Sequence, residues 1–132
     1  MKKDILTFIL AHSDIAEAMA QGVQKILGPQ NNLYTFSNTK ESLPVLSEKM
    51  QTLIDANKNK SVICFSDLKG GSCWTLAKMV QKRNEKMIIL SGINLPMLVT
   101  YFNNQSSMDL PELIDKTVHD GCRGIQSQNL DL

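Results

Sequence analysis

Two apolar runs, Ile5–Leu10 and Val62–Phe65, constrain this chain more than any other feature, because they are rich in branched residues and too continuous to leave either face in water. Strands of that kind need cover on both sides. Stretches of helical period alternate with the apolar runs and supply it, which is the arrangement of βαβ units around a parallel sheet. Two weaker strands, Leu33–Phe36 and Met87–Leu90, bring the number to four. The predicted fold class is α/β, a doubly wound, mostly parallel sheet in one domain spanning residues 1–132.

The helix signals fit that frame. Asp14 with Glu17 three residues later reads as a capping-box-like start; Ile15, Met19, Val23 and Ile26 then share a face up to Gly28-Pro29. A second helix runs from Ser42 or Pro44 to Ala56, with Leu46, Met50, Leu53 and Ile54 in its apolar stripe. Ser72 is placed to cap a third helix, with Leu76, Met79 and Val80 facing inward and Lys78, Lys82 and Arg83 on its solvated face. Pro96 suits the first position of a fourth, and a fifth starts near Leu110 and runs to Val118 or a little beyond. The tail, Gly124–Leu132, has too few apolar residues to fold by itself; it either frays or pairs as an edge strand with another subunit.

Composition narrows the function classes. A chain of 132 residues can bury about two-thirds of its unfolded surface and needs no staple. With 20% charged residues and a net charge of +1, there is no electrostatic case for nucleic acid or an anionic membrane surface. Three cysteines without a CxxC pair offer no metal-ligand spacing, and an odd count fits a reducing compartment, so a cytoplasmic setting is expected. Met1-Lys2-Lys3 before ILTFILA imitates a signal peptide, but Asp4 intrudes and His12-Ser13-Asp14 replaces a small-residue cleavage site, so the run reads as a buried first strand. No segment approaches the roughly 20 apolar residues that span a bilayer.

In an open parallel sheet, sites form beyond the carboxyl ends of the strands, where the strand order reverses. With strand order 2-1-3-4 the reversal lies between the first and third strands, and His12 and Asp67 follow those two strands directly. A carboxylate facing one imidazole nitrogen fixes the tautomer and leaves the other free as a nucleophile. Ser13-Asp14 at a helix start and the Gly70-Gly71-Ser72 turn then offer amide donors to a phosphate. Cys73 at a helix N-terminus invites a reading as an activated thiolate, but no arginine follows at phosphatase spacing. His119, among Asp115, Lys116 and Asp120, reads as a surface residue, and Cys64 as core.

The segments AHSDIAEAM, SDLKGGSCWTLA and LSGINLPMLV, in that order and spacing, resemble the three blocks of the IIA domains in the mannose/fructose/sorbose branch of the bacterial sugar phosphotransferase system (PTS). The resemblance covers nearly the whole chain. It implies that His12 accepts a phosphoryl group from the phosphocarrier HPr and passes it to an EIIB component for sugar uptake, with membrane EIIC and EIID reached indirectly. It implies further that Asp67 holds the ring and that Ser72 and adjacent amides ligate the phosphoryl group. A homodimer, with a C-terminal strand exchanged between subunits, is also implied, and no metal or organic cofactor is needed. Three positions depart from the family pattern: Ser13 replaces a usual glycine, Lys69 a usual apolar residue, and Cys73 a usual proline. Leu68, Lys69 and Trp74 stand where a carrier would dock. Sugar specificity is not readable, since it lies in the membrane components.

Two other readings use the same residues. A receiver-like module also presents an aspartate after its third strand, but it needs an acidic cluster after the first, where this chain has Ala11-His12-Ser13 and only Asp14. A regulatory module whose contacts change with the charge on His12 uses the same site without coupling to transport.

Overall fold

A computed structural model describes residues 4–129. Its elements alternate as β1 (Ile5–Ala11), α1 (Ile15–Leu27), β2 (Leu33–Ser37), α2 (Leu43–Asp55), β3 (Ser61–Ser66), α3 (Ser72–Arg83), β4 (Ile88–Ser91), α4 (Leu95–Asn104) and α5 (Leu110–Arg123). The four strands form one parallel sheet in the order β2-β1-β3-β4, as expected. β1 and β3 are therefore central, and β1 is buried along its whole length.

The two-residue side-chain period of a strand divides the core in two. Ile5, Ile9 and Ala11 of β1, with Ile63 and Phe65 of β3, pack under α1, α4 and α5 against Ala16, Ala20, Val23, Leu98, Tyr101 and Leu113. Leu6, Phe8 and Leu10, with Val62 and Cys64, face the other way into α2 and α3, against Leu46, Met50, Ile54, Leu76, Ala77 and Val80. Cys64 is core, as its position in the strand implies. The one polar residue of the β1 run, Thr7, is fully buried, and its hydroxyl shares a 2.7 Å hydrogen bond with the Tyr101 hydroxyl. That pairing satisfies two groups that would each be costly to bury alone.

The helix starts divide into two kinds. Ser42, Asn94 and Asp109 cap α2, α4 and α5, accepting from the amides of Val45, Met97 and Glu112. Proline stands at the second position of all three helices, so Pro96 lies one residue further in than expected. The two helices that follow the central strands behave otherwise. Asp14 makes no side-chain cap for α1, and Gly71 rather than Ser72 is the N-cap of α3, again without a side-chain bond. The expected capping box at Asp14 and the Ser72 cap do not form, because these turns are shaped by another set of contacts.

Beyond α5, Gly124–Asn129 forms no strand and is exposed throughout. The remainder of the tail, and with it part of the expected edge strand, lies outside the described residues. Among the described residues, no helix is long and apolar enough to cross a membrane.

Candidate active site

His12 leaves the end of β1 and Asp67 leaves the end of β3, and the register of the two strands sets Leu10, two residues before His12, against Ser66, one before Asp67. The chain crosses over here with a bond from the Asp67 amide to the Leu10 carbonyl, 3.2 Å. The Asp67 carboxylate then accepts three hydrogen bonds. Oδ2 takes the His12 backbone amide at 2.9 Å and the His12 ring nitrogen Nδ1 at 2.6 Å, while Oδ1 takes the Leu68 amide at 2.9 Å. With Nδ1 donating, the lone pair of the neutral ring lies on Nε2.

The Gly70-Gly71-Ser72 turn closes over that nitrogen. Gly70 has φ +87°, a left-handed conformation that costs a side chain strain and glycine nothing. Gly71 is needed for a different reason: a Cβ there would lie 3.3 Å from Cε1 of the His12 ring. Together they let the start of α3 approach the imidazole, and the Ser72 hydroxyl reaches Nε2 at 3.3 Å. The first amides of α3 carry no side-chain cap, which leaves the leading N–H groups and the positive end of the helix dipole uncommitted beside Ser72.

Exposure separates the roles of the two partners. The His12 side chain is 40% exposed and the Asp67 side chain 10%, so the ring is reachable while the carboxylate that holds it is shielded. Burial pushes the Asp67 carboxyl up, but the hydrogen bonds from the His12 amide and ring, together with that from Leu68, outweigh it and hold the group below its ordinary value.

Cys73 sits at the second position of α3, buried. Burial pushes its thiol up and the neighbouring Asp67 charge adds to this, so it stays a protonated thiol rather than an activated nucleophile. Ligand atoms of His12, Asp67 and Cys73 lie within 4.8 Å of one another, the one group of three among the described residues spaced to hold a metal ion. Two of the three already bond each other directly.

Ser13 is exposed and adopts φ 52°, a left-handed backbone that favours glycine, which explains why a glycine suits the position after the histidine. It lines a cleft of about 490 Å3 with Asp14, Glu17, the end of β2 and the segment after it. Leu68 is 61% exposed and Lys69 is exposed beside it. Trp74 is half-buried, with the Lys78 ammonium 5.7 Å from its ring centroid. His119 is exposed on α5.

One residue of the site was not legible beforehand. Asn38, in the turn after β2, donates from Nδ2 to the Ser72 hydroxyl at 2.8 Å. The only available signal was its place just past the carboxyl end of the strand beside β1. The hydrogen bonds to Asp67 also set a pH dependence. A carboxyl whose pKa is lower folded than unfolded stabilises the fold above the unfolded value, about 3.9, and this is lost as pH falls through the lower folded value. Urea unfolding is therefore expected to give a larger stability difference between wild type and Asp67→Asn at about pH 5 than at about pH 3. A difference that grows on acidification would contradict the assignment.

The family model described as the PTS system fructose IIA component matches residues 7–118. Among curated relatives, the sorbose-specific EIIA component of Lacticaseibacillus casei is 25% identical over 107 residues, covering 80% of this chain and 78% of its own. The fructose-specific EIIA component of Bacillus subtilis (strain 168) is 27% identical over 113 residues, covering 84% and 77%. A phosphotransferase system component EIIA from Streptococcus agalactiae superimposes with a TM-score of 0.83 at 20% identity, covering 93% of this chain and 96% of that one. With the family model spanning most of its length, the chain belongs to the fructose/mannose/sorbose family of PTS IIA components.

Proposed function

We propose that this chain acts as one IIA domain whose His12 carries a phosphoryl group from HPr to an EIIB component, in the cytoplasm and in the service of sugar uptake. The observation that carries the reading is the 2.6 Å bond between His12 Nδ1 and Asp67 with Nε2 turned to Ser72 and the start of α3. In the transfer, the Nε2 lone pair forms a bond to phosphorus as the donor's P–N bond breaks, its electron pair returning to the donor imidazole. Nδ1 keeps its proton, so the phosphorylated ring carries a positive charge that the Asp67 carboxylate stabilises. The Ser72 hydroxyl, the amides of Gly70, Gly71 and Ser72, and the amide of Ser13 serve as donors to the phosphoryl oxygens. No metal or organic cofactor enters the step.

Leu68, Lys69 and Trp74 form a mixed apolar and cationic rim beside the exposed His12 edge, suited to a carrier that must dock and leave. EIIC and EIID are reached only through EIIB. The test is incubation with phosphoenolpyruvate, enzyme I and HPr. Wild type is expected to acquire an acid-labile, base-stable phosphate and His12→Ala none; label that persists in His12→Ala and is lost in base would overturn the assignment.

A second copy of the chain is the proposed partner at the β4 edge. Among the described residues no strand pairs with the outer edge of β4, and beside it Ile88, Leu110, Pro111, Ile114 and Val118 line a nearly apolar groove of about 480 Å3. Exchange of the C-terminal segments would cover both. Sedimentation is expected to give a dimer at micromolar concentration that Ile114→Lys weakens; a monomer throughout would remove this part of the reading.

A further inference from the structure

We propose that Asn38 is a positioning residue that commits the Ser72 hydroxyl to donate toward Nε2 of His12; this rests on the phosphocarrier reading of that ring. Asn38 lies half-buried in the turn after β2, on a different strand crossover from the other members of the site. Its side-chain amide nitrogen can only donate, and it does so to Ser72 Oγ at 2.8 Å. That leaves the single hydroxyl proton of Ser72 for another acceptor, and Nε2 of His12 lies 3.3 Å away. Nε2 accepts because Nδ1 carries the ring proton and donates it in the hydrogen bond to Asp67.

The four side chains thus form a relay with one direction, Asn38 to Ser72 to His12 to Asp67. The turn that holds Asn38 is itself fixed. The Ser37 and Thr39 side chains bond each other, and the Thr39 amide donates to Ser37 Oγ at 3.2 Å. Asn38 therefore ties the β2 turn to the head of α3 through Ser72.

The consequence appears during transfer. As Nε2 spends its lone pair on phosphorus, it stops being an acceptor, and the Ser72 hydroxyl, keeping its proton, donates its hydrogen bond to the nearest phosphoryl oxygen instead. Asn38 still holds Ser72 Oγ in place, so the donor meets the developing charge without being reoriented. Without Asn38, the hydroxyl rotates freely and part of that stabilisation is lost.

A double-mutant cycle with Ser72 tests this, read in two ways: the rate of phosphoryl transfer from phosphorylated HPr, and the 15N resonance of His12 Nε2 in the unphosphorylated protein. Asn38→Ala and Ser72→Ala are each expected to slow transfer by about fivefold, the scale of one hydrogen bond, and to shift the Nε2 resonance in the same direction. Because Asn38 acts through Ser72, the double variant is expected to match Ser72→Ala alone. Multiplying effects, or an Nε2 resonance unmoved in Asn38→Ala, would overturn the proposal. Should Asn38→Ala not fold, Asn38→Asp carries the test. Its carboxylate accepts the Ser72 proton and is expected to shift Nε2 as Ser72→Ala does, whereas an unmoved resonance would count against the relay. If wild type accepts no phosphate at all, the phosphocarrier reading falls, while the Nε2 resonance still decides the role of Asn38.

Discussion

The hydrogen bond between His12 Nδ1 and Asp67 is the constraint on which the rest of the site depends. At 2.6 Å it ties together the ends of the two central strands and sets the protonation pattern of the ring. Everything on the other side of the imidazole follows from it. Nε2 can accept from Ser72 only because Nδ1 donates, and the glycines of the following turn matter because they let α3 come close to a ring already held in one orientation. The carboxylate can do this because it is shielded from water yet fully engaged by three N–H donors, so its charge is stabilised rather than merely buried.

The parallel sheet makes that bond possible. β1 and β3 are adjacent, in register and buried on both faces, so the positions just past their ends are fixed by the core rather than by loop geometry. The helices on one face, α1, α4 and α5, and those on the other, α2 and α3, each claim alternate residues of the same strands. A one-residue slip would exchange the two cores, which is why so short a strand can position a side chain reliably. α1 and α3 begin at the site without side-chain caps, and that is consistent with amides left to serve an anion instead of the helix itself.

Much of this was legible in the sequence because it rests on local pattern. The branched runs of β1 and β3 marked central strands, and their ends marked His12 and Asp67. What escaped was decided by contacts between distant segments. Ser72 carries the sequence signature of an N-cap, yet its hydroxyl is taken by Asn38 and His12, and Gly71 becomes the cap residue. Asp14 carries the same signature, but its backbone (φ −99°, ψ 12°) is not the extended conformation of a capping residue, and the cap does not form. Asn38 belongs to no motif; its role exists only once β2 lies beside β1 and its turn meets α3.

The proposed phosphocarrier role, set against the geometry around His12, makes one chemical statement: Nε2 would be the reacting atom and Nδ1 the held one. Long-range 1H–15N correlation of the His12 ring, before and after phosphorylation, tests it most directly. The account predicts a neutral ring protonated at Nδ1, and a phosphorus coupling on Nε2 alone afterwards. A ring protonated at Nε2, or phosphorus on Nδ1, would contradict it.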